Sequence, residues 1–128
     1  MALHFNDTIR NSLLNNLRSY ADGYCKVYPG TRPPNPDYPS TESPLVSFNL
    51  QFNSASFGLL SLSNAPIASE VQATGTATWF RLEDGNYKID GDISIEGGGG
   101  DAILDNVALT AGEMVTLKQL DFSIPNPS

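Results

Sequence analysis

The segment Asp90-Gly91-Asp92-Ile93-Ser94 places two carboxylates one residue apart, a spacing that can ligate a hard cation when it falls in a loop. A helix–loop–helix calcium site wants glycine at the sixth loop position and a bidentate Glu at the twelfth. Counted from Asp90, those positions hold Ile95 and Asp101. Tyr87, Ile89, Ile93 and Ile95 alternate with Lys88, Asp90, Asp92 and Ser94, so the segment reads instead as a strand with both aspartates facing solvent. The pair superficially resembles that of phosphotransfer hydrolases, but their chemistry needs a parallel α/β sheet and a lysine partner, and neither is legible here.

Other routes to chemistry are equally thin. His4 is the single histidine; it precedes a helical segment, and no Gly-x-Ser-x-Gly elbow supplies a nucleophile for it. No set of His, Cys and carboxylates has zinc spacing. Asp84, Asp90, Asp92, Asp101 and Asp105 are available as glycosidase carboxylates, a role that requires two of them to converge in one cleft. Gly97 to Gly100 lacks the Lys-Ser/Thr and helix start of a phosphate cradle, and reads as a floppy hairpin loop. No catalytic, cofactor-binding or metal-ligating residue is assigned, and no enzyme is expected.

Composition narrows the classes further. The 128 residues suit one domain, spanning 1–128, long enough to bury a core without disulfides or metal. Charged residues are 16% of the chain, against roughly 25% in an average globular protein, so Ser, Thr, Asn and Gly must carry the polar surface. Residues 1–64 hold four basic and four acidic side chains, and residues 65–128 hold three and ten, so the whole net charge of −7 lies in the second half. An acidic half repels phosphate backbones, so nucleic acid is not an expected partner. Cys25 is the single cysteine and reads as a small buried hydrophobe. No apolar run approaches the ~18 residues of a membrane span, and no basic start with an apolar stretch marks a signal peptide. Synthesis and folding in a cytoplasm are the expectation.

The elements follow from periodicity. Over 6–22, Phe5, Ile9, Leu13, Leu14, Leu17 and Tyr20 recur every three or four residues, predicting an amphipathic helix. Asn6 or Asp7 serves as its cap, Gly23 as its left-handed end, and Asn11, Asn15, Asn16 and Arg18 form its other face. A short strand covers 25–28. Residues 29–44 carry six prolines, which remove ladder donors and fix φ; this predicts an extended arm with Tyr28 and Tyr38 as aromatic anchors. From Leu45 the period is two, with strands predicted over 45–52, 57–62, 71–82, 87–95, 102–109 and 114–124. Glu83-Asp84-Gly85-Asn86 makes a hairpin turn. In the last strand the apolar face switches from Val115 and Leu117 to Leu120, Phe122 and Ile124, which calls for a bulge near Lys118 or Gln119. Trp79 and Phe80, being adjacent, point to opposite faces. The expected fold is mainly β: an antiparallel two-sheet sandwich of about seven strands over 45–125, with one N-terminal helix and a long Pro-rich arm.

Four segments carry a resemblance. They are Leu3-His4-Phe5-Asn6-Asp7; Lys26-Val27-Tyr28-Pro29-Gly30-Thr31-Arg32-Pro33; Gly75-Thr76-Ala77-Thr78-Trp79-Phe80-Arg81-Leu82 followed by Gly91-Asp92-Ile93; and Leu104-Asp105-Asn106 with Ala111-Gly112 and Phe122-Ser123-Ile124-Pro125. Together they resemble a family of small, mostly uncharacterised proteins encoded among the structural genes of tailed bacteriophages and prophages. The Gly-Thr-Ala-Thr-Trp-Phe-Arg string is its most specific part. Members are usually shorter where this chain runs 35–42. The resemblance implies a virion component and brings no catalytic residues.

The expected function is therefore structural: a capsid decoration or cement protein that contacts the major capsid protein or other virion proteins, as a homo-oligomer with a trimer favoured. A neck, tail or baseplate component is the alternative. A carbohydrate-binding module for host attachment, stacking sugars on Trp79 or Tyr38, is the second. Tyr28, Arg32, Tyr38 and Trp79 are the candidate interface residues, since Tyr, Trp and Arg are the types that most often anchor interfaces.

Overall fold

The computed structural model describes residues 5–84 and 87–123. His4, the turn residues Gly85 and Asn86, and the closing Ile124, Pro125 and Pro127 lie outside them. The helix forms as α1, Asp7–Ala21. Asn6 caps it by accepting the Ile9 N–H at 3.0 Å, and Asp22 closes it by donating its N–H to the Arg18 carbonyl at 3.0 Å. Among the described residues ten strands follow: β1 Gly23–Tyr28, β2 Val46–Leu50, β3 Leu59–Ser61, β4 Ile67–Glu70, β5 Gly75–Thr76, β6 Trp79–Asp84, β7 Tyr87–Ile95, β8 Ala102–Leu104, β9 Ala108–Leu109 and β10 Met114–Ser123.

The fold is mainly β with one N-terminal helix. Seven strands run in the order β2-β1-β6-β7-β8-β10-β3, β4 also pairs with β10, and β5 and β9 form a separate two-stranded sheet. The main sheet is a curled half-barrel. Its two ends meet where Phe52, beyond β2, bridges to Leu62, beyond β3. Here the Asn53 N–H reaches the Ser61 carbonyl and the Ser63 N–H reaches the Gln51 carbonyl, both at 2.8 Å. One mixed sheet curled on itself thus stands where two antiparallel layers were expected.

Three boundaries differ from the periodic reading, each for a local reason. The stretch 71–82 is broken into β5 and β6, because between them the Ala77 N–H turns to the Val107 carbonyl at 2.8 Å while the Thr78 N–H goes to the Tyr28 carbonyl at 3.0 Å. The stretch 102–109 is broken by Asn106, whose side chain accepts the Ala108 N–H at 3.1 Å and imposes a turn. The run Gly97 to Gly100 is not a floppy loop. It is a tight crossover that lets β8 pair parallel to β7, Ile93 opposite Ala102. Parallel neighbours ordinarily need about a dozen connecting residues. Here the chain folds directly over Ser94, whose Oγ accepts the Gly100 N–H at 2.8 Å. A Cβ at Gly100 would sit 2.6 Å from the Ser94 nitrogen. The bulge expected in the last strand falls between Leu117 and Gln119.

The core gathers Leu14 and Ala21 of α1 with Cys25, Val27, Phe48, Leu50, Phe80, Leu82, Leu104, Leu117 and Leu120. Cys25 is fully enclosed, and burial pushes its thiol well above the ordinary range. The helix, however, sits rotated from the expected face. Ile9 and Leu13 are exposed, and Tyr20 lies against Tyr87 with ring centroids 4.0 Å apart. Its asparagines hold a loop: Asn11 Oδ1 accepts the Gly58 N–H at 2.9 Å and Asn15 Oδ1 the Ala55 N–H at 2.8 Å. Arg18 donates to Ser54 Oγ at 3.2 Å. Hydrogen bonds to the 54–58 loop thus set which side of the helix meets the body.

Two predictions follow from this packing. Gly100→Ala should destabilise the fold by about 1–3 kcal/mol in chemical denaturation, the usual range for overpacking, because the new methyl meets backbone. Cys25 binds its proton more tightly folded than unfolded, so its contribution is complete below the free thiol's pKa of roughly 8.5 and is lost as pH rises above it. Unfolding free energy measured from pH 7.5 to 9.5 should decline for the natural chain and stay flatter for Cys25→Ala.

Candidate functional site: the arm and the sheet face beneath it

β6 is buried on both sides. Phe80 and Leu82 point into the core, whereas Trp79 and Arg81 point the other way and are equally enclosed. Sheets with one solvated face are the common case, so a second covered face needs a cover. The cover is the arm, residues 29–44, which leaves β1 and returns at Leu45, where the Leu45 N–H bonds the Val27 carbonyl at 2.7 Å.

The covered face is built across three strands. Tyr28 of β1 pairs with Trp79 of β6, which pairs with Asp92 of β7; one step along, Lys26 pairs with Arg81 and Arg81 with Asp90. Tyr28 stacks on Trp79 with centroids 4.4 Å apart and planes 17° off parallel. The Arg81 guanidinium carbon lies 5.3 Å from the Trp79 ring centre, within cation–π range. Arg81 then grips Asp90 through two bonds, Nε to Oδ1 at 2.7 Å and Nη2 to Oδ2 at 2.9 Å. The side chains of this pair are 1% and 4% exposed. Hydrogen bonding to Asp90 leads the influences that hold the guanidinium's pKa above its usual value. Burial raises the Tyr28 phenol in the same setting, with Glu83 adding to it.

The arm attaches mainly through its first residues. Trp79 Nε1 donates to the Pro29 carbonyl at 3.1 Å, and Thr78 Oγ1 to the Gly30 carbonyl at 2.6 Å. Arg32 then meets Asp92 at 3.4 Å, and residues Arg32 to Pro36 roof a cavity of about 210 Å³ that Asp90 also lines. Farther out, the arm is tied to itself. Asn35 Oδ1 accepts the Asp37 N–H at 2.9 Å, the Asn35 carbonyl accepts the Tyr38 N–H at 3.2 Å, and Ser40 and Glu42 bond each other. Arg32, Pro33, Pro34, Tyr38 and Pro39 surround a second cavity of about 410 Å³.

Of the four candidate interface residues, the fold brings Tyr28 and Trp79 together and buries both, while Arg32 and Tyr38 stay on the arm, 42% exposed at the Arg32 side chain and 53% exposed at Tyr38. A sugar has no access to Trp79, whose ring is stacked and covered. Asp90 corrects the expectation that both aspartates face solvent: strand alternation does put it on the outer face, but the arm makes that face an interior. Arg81 and Asp90 were missed as partners. The signal available was their sequence separation of nine about the turn expected at Glu83-Asp84-Gly85-Asn86, which makes them cross-strand neighbours in a hairpin.

Elsewhere, Glu96, Asp101 and Asp121 line a cleft of about 470 Å³ at the glycine crossover. Asp101 there accepts the Asp92 N–H at 2.9 Å, a structural task. Among the described residues no three His, Cys, Asp or Glu side chains are grouped to hold a metal ion. Among them, too, no helix is long and apolar enough to cross a membrane. Comparison with known proteins finds no matching family model, curated protein or solved structure.

The ion pair generates a sharp expectation. Arg81→Met alone and Asp90→Asn alone should each lose about 3–5 kcal/mol of unfolding free energy, because each leaves a buried group without its partner. Combining Arg81→Met with Asp90→Leu should recover most of that loss, since an apolar pair leaves no unmet charge. Denaturation of the three variants gives the comparison.

Proposed function

We propose that the chain is a non-enzymatic virion structural protein that works by contact with other virion proteins, as a capsid decoration or cement protein. The observation that carries this reading is the arm: a sixteen-residue, six-proline segment mounted on a curled β body, presenting Arg32 and Tyr38 outward around an apolar cavity. An arm of this kind lets a compact domain reach across a junction between subunits. Prolines reduce the ordering entropy that such a contact costs. The segments that resemble tailed-phage structural proteins support the same reading, as does an acidic second half suited to a basic partner surface and not to nucleic acid.

A neck, tail or baseplate role draws on the same features, because rings and shells both need small interface-rich domains. The two readings differ in stoichiometry. The deciding experiment is the copy number of this protein relative to the major capsid protein in purified particles. A ratio near one, or one trimer per local threefold, is the expected result; a handful of copies per particle would move the assignment to the neck, tail or baseplate. Absence from the particle would overturn both. Tyr38→Ala and Arg32→Ala should each reduce occupancy on the particle, since truncating a buried interface anchor typically costs ~2 kcal/mol or more.

A further inference from the structure

We infer that the outer part of the arm is exchangeable, so that the face formed by Trp79, Arg81, Asp90 and Asp92 accepts residues 31–43 of a second copy of this chain in place of its own. This deepens the assembly reading above by naming one partner and one contact.

The occupant is identified by the fold itself. The face is already filled by this arm, so an identical arm from a neighbour presents the same groups to it, which is the logic of exchange between protomers. What decides between own and neighbouring arm is how firmly the arm is tied down, and the ties are unevenly placed. The bonds to Trp79 and Thr78 come from Pro29 and Gly30, at the stem. Beyond them, Arg32 meets Asp92 on the body, with side chains 42% and 61% exposed. An exposed pair of that kind holds the arm only weakly. The remaining hydrogen bonds among residues 35–42 are internal, so they travel with the arm when it moves.

The stem also has the geometry to redirect the arm. Gly30 holds φ at +78°, open to glycine and strained for other residues, directly before Thr31. Both legs of the arm start side by side, at Tyr28 and Leu45. Eight extended residues per leg reach about 25 Å at ~3.1 Å each, farther than the radius of a domain this size. The arm's tip can therefore span to a touching neighbour while its stem bonds stay in place. The contact is reciprocal in a dimer and continues head to tail in a ring, so it serves a trimer as readily.

The test uses full-length chains on a Cys25→Ala background. One carries Arg32→Cys, the other Asp92→Cys, and a short bismaleimide links them after incubation together at high concentration. Exchange predicts cross-linked heterodimer at several times the yield of either homodimer. It also predicts that natural chains show concentration-dependent assembly by light scattering, lost when residues 31–42 are replaced by a two-residue linker. If the mixed chains give heterodimer at no more than the homodimer yield, and shortening the arm leaves the assembly state unchanged, exchange is wrong. That outcome leaves the virion reading standing, because a protein that binds particles with its arm closed on itself still passes the copy count.

Discussion

The buried pair of Arg81 and Asp90 is the interaction on which the outer half of this molecule depends. Two charges taken out of water are tolerated only with good geometry and satisfied hydrogen bonds. Both are supplied here: the guanidinium meets the carboxylate through two parallel bonds and rests against the Trp79 ring, which in turn stacks on Tyr28. Arg81 of β6 sits directly across from Asp90 of β7, so the two strands must be in register before the pair forms. Its side chains are 1% and 4% exposed, and the arm residues Arg32 to Pro36 roof the cavity beside Asp90. The charge pair, the register and the arm are thus one cooperative unit, set on the reverse of the sheet from the main core.

That arrangement explains why a chain of this size tolerates a long segment without regular structure. Loops of such length are usually functional or disordered. This one is held by stem bonds to Trp79 and Thr78 and covers a face that would otherwise expose an aromatic stack and an ion pair. The body beneath is held by contacts of its own. The sheet curls until Phe52 meets Leu62, and α1 is fastened by asparagines to the 54–58 loop. The arm can thus vary in length or position with the barrel core left intact. That division of labour suits the assembly role proposed here, in which a rigid body carries a segment specialised for contact.

Much of the body was legible from periodicity. The helix over 6–22, the alternation from Val46 to Leu50, the buried Cys25 and the bulge at Lys118 follow from rules that act within one element. What escaped were contacts between elements distant in sequence. Alternation correctly puts Asp90 opposite to the core, yet it carries no knowledge that a proline segment fifty residues earlier covers it. Asn11 and Asn15 look like a solvated face because their partners are backbone N–H groups of Gly58 and Ala55, which leave no mark in composition. The glycine run reads as slack, although Gly100 is small because Ser94 lies against it. Of the candidate site, Tyr28, Arg32, Tyr38 and Trp79 were recognisable as residue types suited to contact. That two of them are used inside the chain was not.

The central claim is that the arm seals the Trp79–Arg81 face. Trp79 is the single tryptophan, so its fluorescence reports on that face alone. The direct measurement is acrylamide quenching of the natural chain beside a chain in which residues 31–43 are replaced by a short linker. The account predicts strong protection in the first and ready quenching in the second, with the fold otherwise intact by circular dichroism. Equal quenching in the two would contradict it, because the arm would then not be what keeps solvent from Trp79.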